Sequence, residues 1–250
     1  MRLFFYAAIV FIGINQAIFS REAYENEKHH NYQIMDTLAL NAGTDKSSAF
    51  HNYTSVYSKY FDKIKNDRLV FLEIGIYKGD SVKLWENYFP NADLHFIDIT
   101  SEYIQYNSTR SHYHFLNQKN VLALEALGKD VGPFDIIIDD GGHTMTQQIT
   151  SFKALFPFVK PGGMYVIEDL HTSYWNQYGG IGSFENPIGG KGTTVGFLQE
   201  LVDSVNFVGA STECADFDKA NASLLSRMTK YQKHIESIHF HSSLCIIIKR

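Results

Sequence analysis

Phe134-Asp135-Ile136-Ile137-Ile138-Asp139-Asp140-Gly141-Gly142-His143 is the stretch from which the fold is read. Between Phe134 and Ile138 only Asp135 is polar. A short β-branched run closed by Gly-Gly predicts a parallel strand buried on both faces. Leu69-Val70-Phe71-Leu72-Glu73-Ile74, ahead of Gly75, has the same form. Leu94–Ile99 predicts a second strand, Tyr113–Leu116 a short third, and Met164–Ile167 a fifth after a Pro161-Gly162-Gly163 turn. Helical patterns fall between them at Ser81–Tyr88, with Ser81 or Asp80 as its cap, at Asn120–Leu127 and at Thr146–Phe156, and Thr194–Val205 follows. Strands alternating with helices imply a parallel sheet covered on both faces. Ile235–Phe240 and Leu244–Ile248, about His241-Ser242-Ser243, predict a closing antiparallel hairpin. The expected architecture is α/β and Rossmann-like: a mostly parallel seven-stranded sheet, helices on both faces and a C-terminal hairpin.

The flanks are less regular. Arg21–His30 is polar and reads as loose chain, residues 32–64 read as helix broken at Asn41-Ala42-Gly43-Thr44, and the Gly-rich Gly179–Gly192 reads as a mobile loop. At the start, Arg2 precedes the apolar run Leu3–Ile14, and Ala17-Ile18-Phe19-Ser20 leads into the charged Arg21-Glu22. A membrane span needs roughly 20 apolar residues. The shorter run predicts a cleavable secretory signal over 1–20, with a signal anchor as the alternative and no stable membrane span. The expected organisation is a signal at 1–20, a helical lead-in at 21–64 and the Rossmann-like domain at 65–250. Location in the secretory pathway would make Asn52-Tyr53-Thr54, Asn107-Ser108-Thr109 and Asn221-Ala222-Ser223 glycosylation acceptors. It would also permit a Cys214–Cys245 disulfide, with two buried thiols as the alternative. Of the 250 residues, 44% are hydrophobic, enough for a sizeable core, and the net charge of -5 argues against a nucleic-acid backbone as partner.

In an open α/β sheet, ligands bind at the carboxyl ends of the strands. Those ends carry Glu73, Gly75 and Gly79, then Asp98, then Asp139, Asp140, Gly141, Gly142 and His143, then Glu168, Asp169 and His171. Gly75-Ile76-Tyr77-Lys78-Gly79-Asp80-Ser81 lets a ligand approach the backbone, although a plain strand-to-helix turn has the same residues. It lacks the compact G-x-G-x-x-G of dinucleotide sites, so a ligand without pyrophosphate is expected. Asp98 is placed to accept hydrogen bonds from two ribose hydroxyls. Asp139, Asp140, Glu168 and Asp169 are expected on adjacent strand ends, where their mutual repulsion is relieved by a divalent cation. Oxygen donors suit Mg²⁺, Mn²⁺ or Ca²⁺. His143 would be the general base, taking a proton from a hydroxyl on that cation. A solvated acidic rim with a surface histidine is the alternative.

Several of these segments together resemble the macrocin- and mycinamicin-type sugar O-methyltransferases. They are Phe134–His143, Phe156-Pro157, Pro161–Leu170 and Thr172–Trp175, with Gly43-Thr44-Asp45-Lys46, His51, Tyr53-Thr54, Tyr57, Leu72-Glu73-Ile74-Gly75 and Trp85–Pro90 upstream. The likeness runs from about Leu40 to Gly180, with a weaker echo in Ile238-His239-Phe240. It implies a class I methyltransferase fold with S-adenosylmethionine across the first two strands. It further implies Asp140, Glu168 and Asp169 as metal ligands, His143 as base, and Thr44, Glu73, Gly75, Asp98, Gln118 and Asp140 as cofactor contacts.

The expected reaction is thus metal-assisted methylation of a hydroxyl on a sugar or similar polyol, the acceptor being a small molecule or a glycan. Two other classes share these residues. One is a metal-dependent hydrolase or lyase on the same acidic rim, and the other is a secreted binding protein on a retained fold.

Overall fold

The computed structural model describes residues 26–183 and 185–250. The proposed signal at 1–20 lies outside the described residues. The chain divides into two compact units, one ending at Asn66 and the other running from Asp67 to Arg250. Among the described residues, no helix is long and apolar enough to cross a membrane.

The N-terminal unit contains helix α1 (residues 26–42) and helix α2 (Thr54–Phe61). Residues 26–30, expected to be loose, are helical. The intervening turn is held by one carboxylate. Asp36 accepts from the Ser48 amide at 2.7 Å, the Ser48 hydroxyl at 2.5 Å and the Thr54 hydroxyl at 2.8 Å. Gly43 provides the left-handed turn that ends α1 (φ +83°). Tyr57 and Phe61 stack at 5.0 Å in the interior.

The second unit is built on β1 (Val70–Ile74), β2 (Asp93–Asp98), β3 (Ser111–Phe115), β4 (Phe134–Asp139), β5 (Val159–Ile167), β6 (Ile235–His241) and β7 (Leu244–Lys249). Their order across the sheet is β3-β2-β1-β4-β5-β7-β6. The first five run parallel, and β7 pairs antiparallel with both β5 and β6. The helices are α3 (Asp80–Tyr88), α4 (Val121–Val131), α5 (Met145–Leu155), α6 (Thr194–Thr212), α7 (Ala222–Arg227) and α8 (Lys230–His234).

Side chains alternate across each strand, so each strand feeds two layers. Leu72, Ile74, Ile137, Tyr165 and Ile247 pack with Leu124 of α4, Phe152 and Leu155 of α5 and Leu198 of α6. Phe71 and Phe96 point the other way, against Trp85 and Phe89 at α3.

Local departures from the expected elements have identifiable causes. Helix α3 is entered through Gly79 at φ +89°, with no side-chain cap from Asp80 or Ser81. Ser81 is instead turned to Glu73. The Pro161-Gly162-Gly163 turn is a bulge inside β5, because Phe134 pairs with Val159 while Ile136 pairs with Met164. Asp135, the polar residue in the β4 run, accepts from the Val70 amide at 2.7 Å and from Lys160 Nζ at 2.6 Å. It thereby aligns the starts of β1 and β4. Cys245 is buried in β7, Cys214 follows α6, and both are free thiols.

Beyond their last paired residues the parallel strands continue their ladders by one bond each. Gly75 N donates to Ile97 O at 2.8 Å, Asp140 N to Ile74 O at 2.9 Å, and Glu168 N to Asp139 O at 3.0 Å. Gly75 stands at φ +105°, and a Cβ there would meet the Asp140 carbonyl oxygen at 2.1 Å. At the far end, the buried Lys249 Nζ donates to the carbonyls of Pro157 at 2.7 Å and Val159 at 2.6 Å, fastening the C-terminal strand to the entry of β5.

Two outcomes test this frame. Gly75→Ala lowers stability by at least about 1–3 kcal/mol through backbone strain and the clash with Asp140, read as a drop in urea midpoint. An unchanged midpoint would contradict the close approach. Lys249→Met strands the buried carbonyl of Val159 and costs about 1–3 kcal/mol, read from the same midpoint with the slope unaltered.

Candidate active site

The site lies where the sheet order reverses, between β1 and β4, at the strands' carboxyl ends. On the β1–β2 side, Asp98 organises the loop after β1. Its Oδ2 accepts from the amides of Ile76 at 2.9 Å and Tyr77 at 3.0 Å, and its Oδ1 from those of Ile99 at 2.6 Å and Thr100 at 3.3 Å. The carboxylate expected to face ribose hydroxyls therefore also holds the loop backbone. Around it stand large apolar groups in solvent: Ile99 is 68% exposed, Tyr77 64% and Tyr103 56%, and the two tyrosine rings lie 6.3 Å apart.

The four carboxylates expected on one rim divide between two faces. Asp139 is the last residue of β4 and points into the α5 layer, fully buried. It accepts from Gln118 Nε2 at 2.6 Å and from the Ser151 hydroxyl. Burial raises its pKa above the ordinary carboxylate value, against those hydrogen bonds and the nearby His143. Asp139 is thus a core residue, which corrects its expected place on the rim.

Asp140 is the hub of the other face. Its carboxylate, with those of Glu73 and Glu168, forms a group whose oxygens lie within 4.8 Å of one another. It forms a second such group with His143 and Asp169. Glu73 is fully buried and Glu168 is 1% exposed. Glu73 is aimed by α3, accepting from Ser81 Oγ at 2.7 Å and Trp85 Nε1 at 3.0 Å. His143 Nε2 lies 3.5 Å from Asp169 Oδ2, and among the described residues His143 Nδ1 is buried with no hydrogen-bond partner.

His143 and Asp169 both adopt left-handed backbone, at φ +57° and +55°. Neither is glycine, so each conformation costs of order 1–3 kcal/mol unless its surroundings impose it. The buried Thr172 hydroxyl bridges them, 3.0 Å from His143 O and 2.8 Å from Asp169 O. Gln148 Nε2 holds the Glu168 carbonyl at 2.8 Å. Thr144 and Gln147 form a capping box that starts α5 directly after His143.

Other expected contacts fall as follows. Gln118 is buried and accepts from Gly142 N at 3.1 Å, so it positions the Gly141-Gly142 loop. Thr44 belongs to the N-terminal unit, buried just after α1. His171 turns to the β6–β7 turn, where Nδ1 contacts Ser243 Oγ. The supporting roles of Thr172, Gln148 and Ser151 escaped sequence reading, since a buried hydroxyl or amide has no spacing of its own. The Thr144-x-x-Gln147 box was the one local signal available. Convergent carboxylates beside an imidazole can hold a divalent cation and move a proton.

Residues 72–170 match a family described as a methyltransferase domain. A tetracenomycin-C rhamnosyl 2'-O-methyltransferase of Streptomyces olivaceus is 32% identical over 220 residues, covering 85% of this chain and 54% of that protein. The mycinamicin VI 2''-O-methyltransferase of Micromonospora griseorubida is 36% identical over 176 residues, covering 65% and 41%. The solved MycE methyltransferase of the mycinamycin biosynthetic pathway, in complex with Mg and SAH, superposes with a TM-score of 0.73 at 29% identity, covering 86% and 54%. The chain spans about half the length of the curated relatives it matches. Its sheet-bearing unit has the class I methyltransferase fold, and the chain is similar to the sugar O-methyltransferases of the mycinamicin and macrocin type.

Proposed function

We propose that this protein transfers a methyl group from S-adenosylmethionine to a hydroxyl of a sugar or similar polyol, assisted by a divalent cation, Mg²⁺ first. The observation that carries this reading is the convergence on Asp140 of two groups: Glu73 and Glu168 on one side, His143 and Asp169 on the other. Carboxylates this close repel one another, and two of them are shut away from water. A hard divalent cation fits that donor set. The relatives are named for methylation of sugar hydroxyls, and MycE is solved with Mg and SAH.

Asp140, Glu168 and Asp169 would hold the cation. The cofactor contacts in the sheet-bearing unit would be Glu73, Gly75, Asp98 and Asp140, with Gln118 acting through the loop it holds. The exposed Ile99, Tyr77 and Tyr103 offer apolar surface for a nucleoside base. Bound S-adenosylmethionine would supply an electrophilic methyl group, and a bound divalent cation would acidify the acceptor hydroxyl. His143 accepts the acceptor's hydroxyl proton, and Asp169 beside its Nε2 stabilises the imidazolium that results. Thr172 keeps both residues in place through their backbones.

Calorimetry with S-adenosylmethionine and Mg²⁺ tests the reading, and absence of cofactor binding would overturn it. His143→Ala is expected to reduce methyl transfer to a sugar panel by about 10²–10⁴-fold, with cofactor affinity unchanged. Retained turnover would remove His143 from the mechanism. Asp140→Asn with Glu168→Gln is expected to abolish the Mg²⁺ dependence.

Entry into the secretory pathway is part of the proposal, supported by Arg2, the apolar run Leu3–Ile14, and the exposure of Asn52, Asn107 and Asn221. A lumenal enzyme would need its methyl donor imported. Sequencing the N-terminus of protein expressed in a eukaryotic secretory host tests this, the expected start lying near Arg21.

A further inference from the structure

Far from the switch point, the edge of the sheet carries a second group of ligating side chains. Asp93 and His95 share one face of β2, and His112 of the edge strand β3 is the register partner of His95. His114, two residues on, lies on the same face. This is the face that further along carries Ile97 into the core with Leu124 of α4.

One Asp93 carboxylate stands between two imidazoles. His95 Nε2 lies 3.3 Å from Asp93 Oδ2, and His112 Nε2 lies 3.2 Å from Asp93 Oδ1. The His95 and His112 rings stack at 4.7 Å. One ligand atom from each of the three lies within 4.8 Å of the others. Two ligands about 2.0–2.1 Å from a tetrahedral ion stand about 3.3 Å apart, close to the distance of each imidazole nitrogen from its nearer Asp93 oxygen.

The second observation is at His95 itself. The residue is 6% exposed, and among the described residues its Nε2 has no hydrogen-bond partner. Its Nε2 faces Asp93 Oδ2 at 3.3 Å without hydrogen-bond alignment. The other ring nitrogen is engaged: His95 Nδ1 and His114 Nε2 are 3.0 Å apart. With the proton on Nδ1, donated to His114, Nε2 presents a bare lone pair toward Asp93. That is the arrangement of a metal-ligating histidine, whose second nitrogen is oriented by an outer partner.

We propose that Asp93, His95 and His112 form a binding site for a first-row transition ion, zinc by donor set and spacing, with His114 as its orienting partner. Imidazole with carboxylate selects such ions over Mg²⁺, which separates this site chemically from the oxygen-rich group around Asp140. The exposed sides of Asp93 and His112 leave a coordination position open to water. The ion would clip the edge strand β3 to β2.

The test is a calorimetric titration of Zn²⁺ into the untagged full chain with Mg²⁺ in excess. One Zn²⁺ per chain is expected, bound equally by wild type and by Asp140→Asn. His112→Ala and Asp93→Asn, both at exposed positions compatible with folding, weaken binding at least tenfold. His114→Ala weakens it by about 10–100-fold. The proposal fails if no Zn²⁺ binds under excess Mg²⁺. It equally fails if Asp140→Asn removes the binding, or if His112→Ala and Asp93→Asn leave it intact.

Discussion

The contact on which the site depends is between two backbones. Asp140 N reaches Ile74 O just past the ends of β4 and β1, and the Asp140 carbonyl passes so near Gly75 that no Cβ fits between them. The sheet reverses its winding there, so neighbouring connections leave in opposite directions and open a crevice. Closing the two backbones to hydrogen-bond distance sets the height of Asp140 relative to Glu73, and the bond from Glu168 N to Asp139 O does the same for the next strand. Side chains far apart in sequence are brought to one level by main-chain bonds rather than by one another.

Alternation then divides the carboxylates. Successive side chains on a strand point to opposite faces, so Asp139 and Asp140 cannot share a role. Asp139 enters a pocket of Gln118, Ser151 and Tyr165, where burial raises its pKa and its hydrogen bonds position the loop that follows. Asp140 turns to the other face and meets Glu73, Glu168, His143 and Asp169. Two residues of this group, His143 and Asp169, adopt backbone conformations that non-glycine residues resist, and a single buried threonine links their carbonyls. Strain concentrated at a site and imposed by its surroundings is consistent with a preorganised function.

The same parallel sheet presents different donors at its centre and at its edge. At the switch point the converging groups are mostly carboxylates, suited to a hard cation. On the β2–β3 edge they are imidazoles around one carboxylate, suited to a softer one. The difference follows from which residues occupy that face of β2 and β3, since both sites rest on the same strand spacing.

Much of this was legible in the chain. Apolar runs ending in Gly or Asp marked β1, β2 and β4, because a strand buried on both faces is apolar along most of its length. Asp140, His143, Glu168 and Asp169 could be picked out because strand ends are where an α/β sheet exposes polar groups. What lay beyond the sequence was orientation and support. Asp139 looks identical to Asp140 until the strand register assigns it a face. Asp98 looks like a free acceptor until four amides converge on it. Thr172, Gln148 and His95 have no local pattern, since their partners come from distant segments. Local periodicity by itself determined the order and type of elements and the residues at their tips. Only the tertiary structure decided which of those residues meet, because contact depends on register and main-chain closure between segments tens of residues apart.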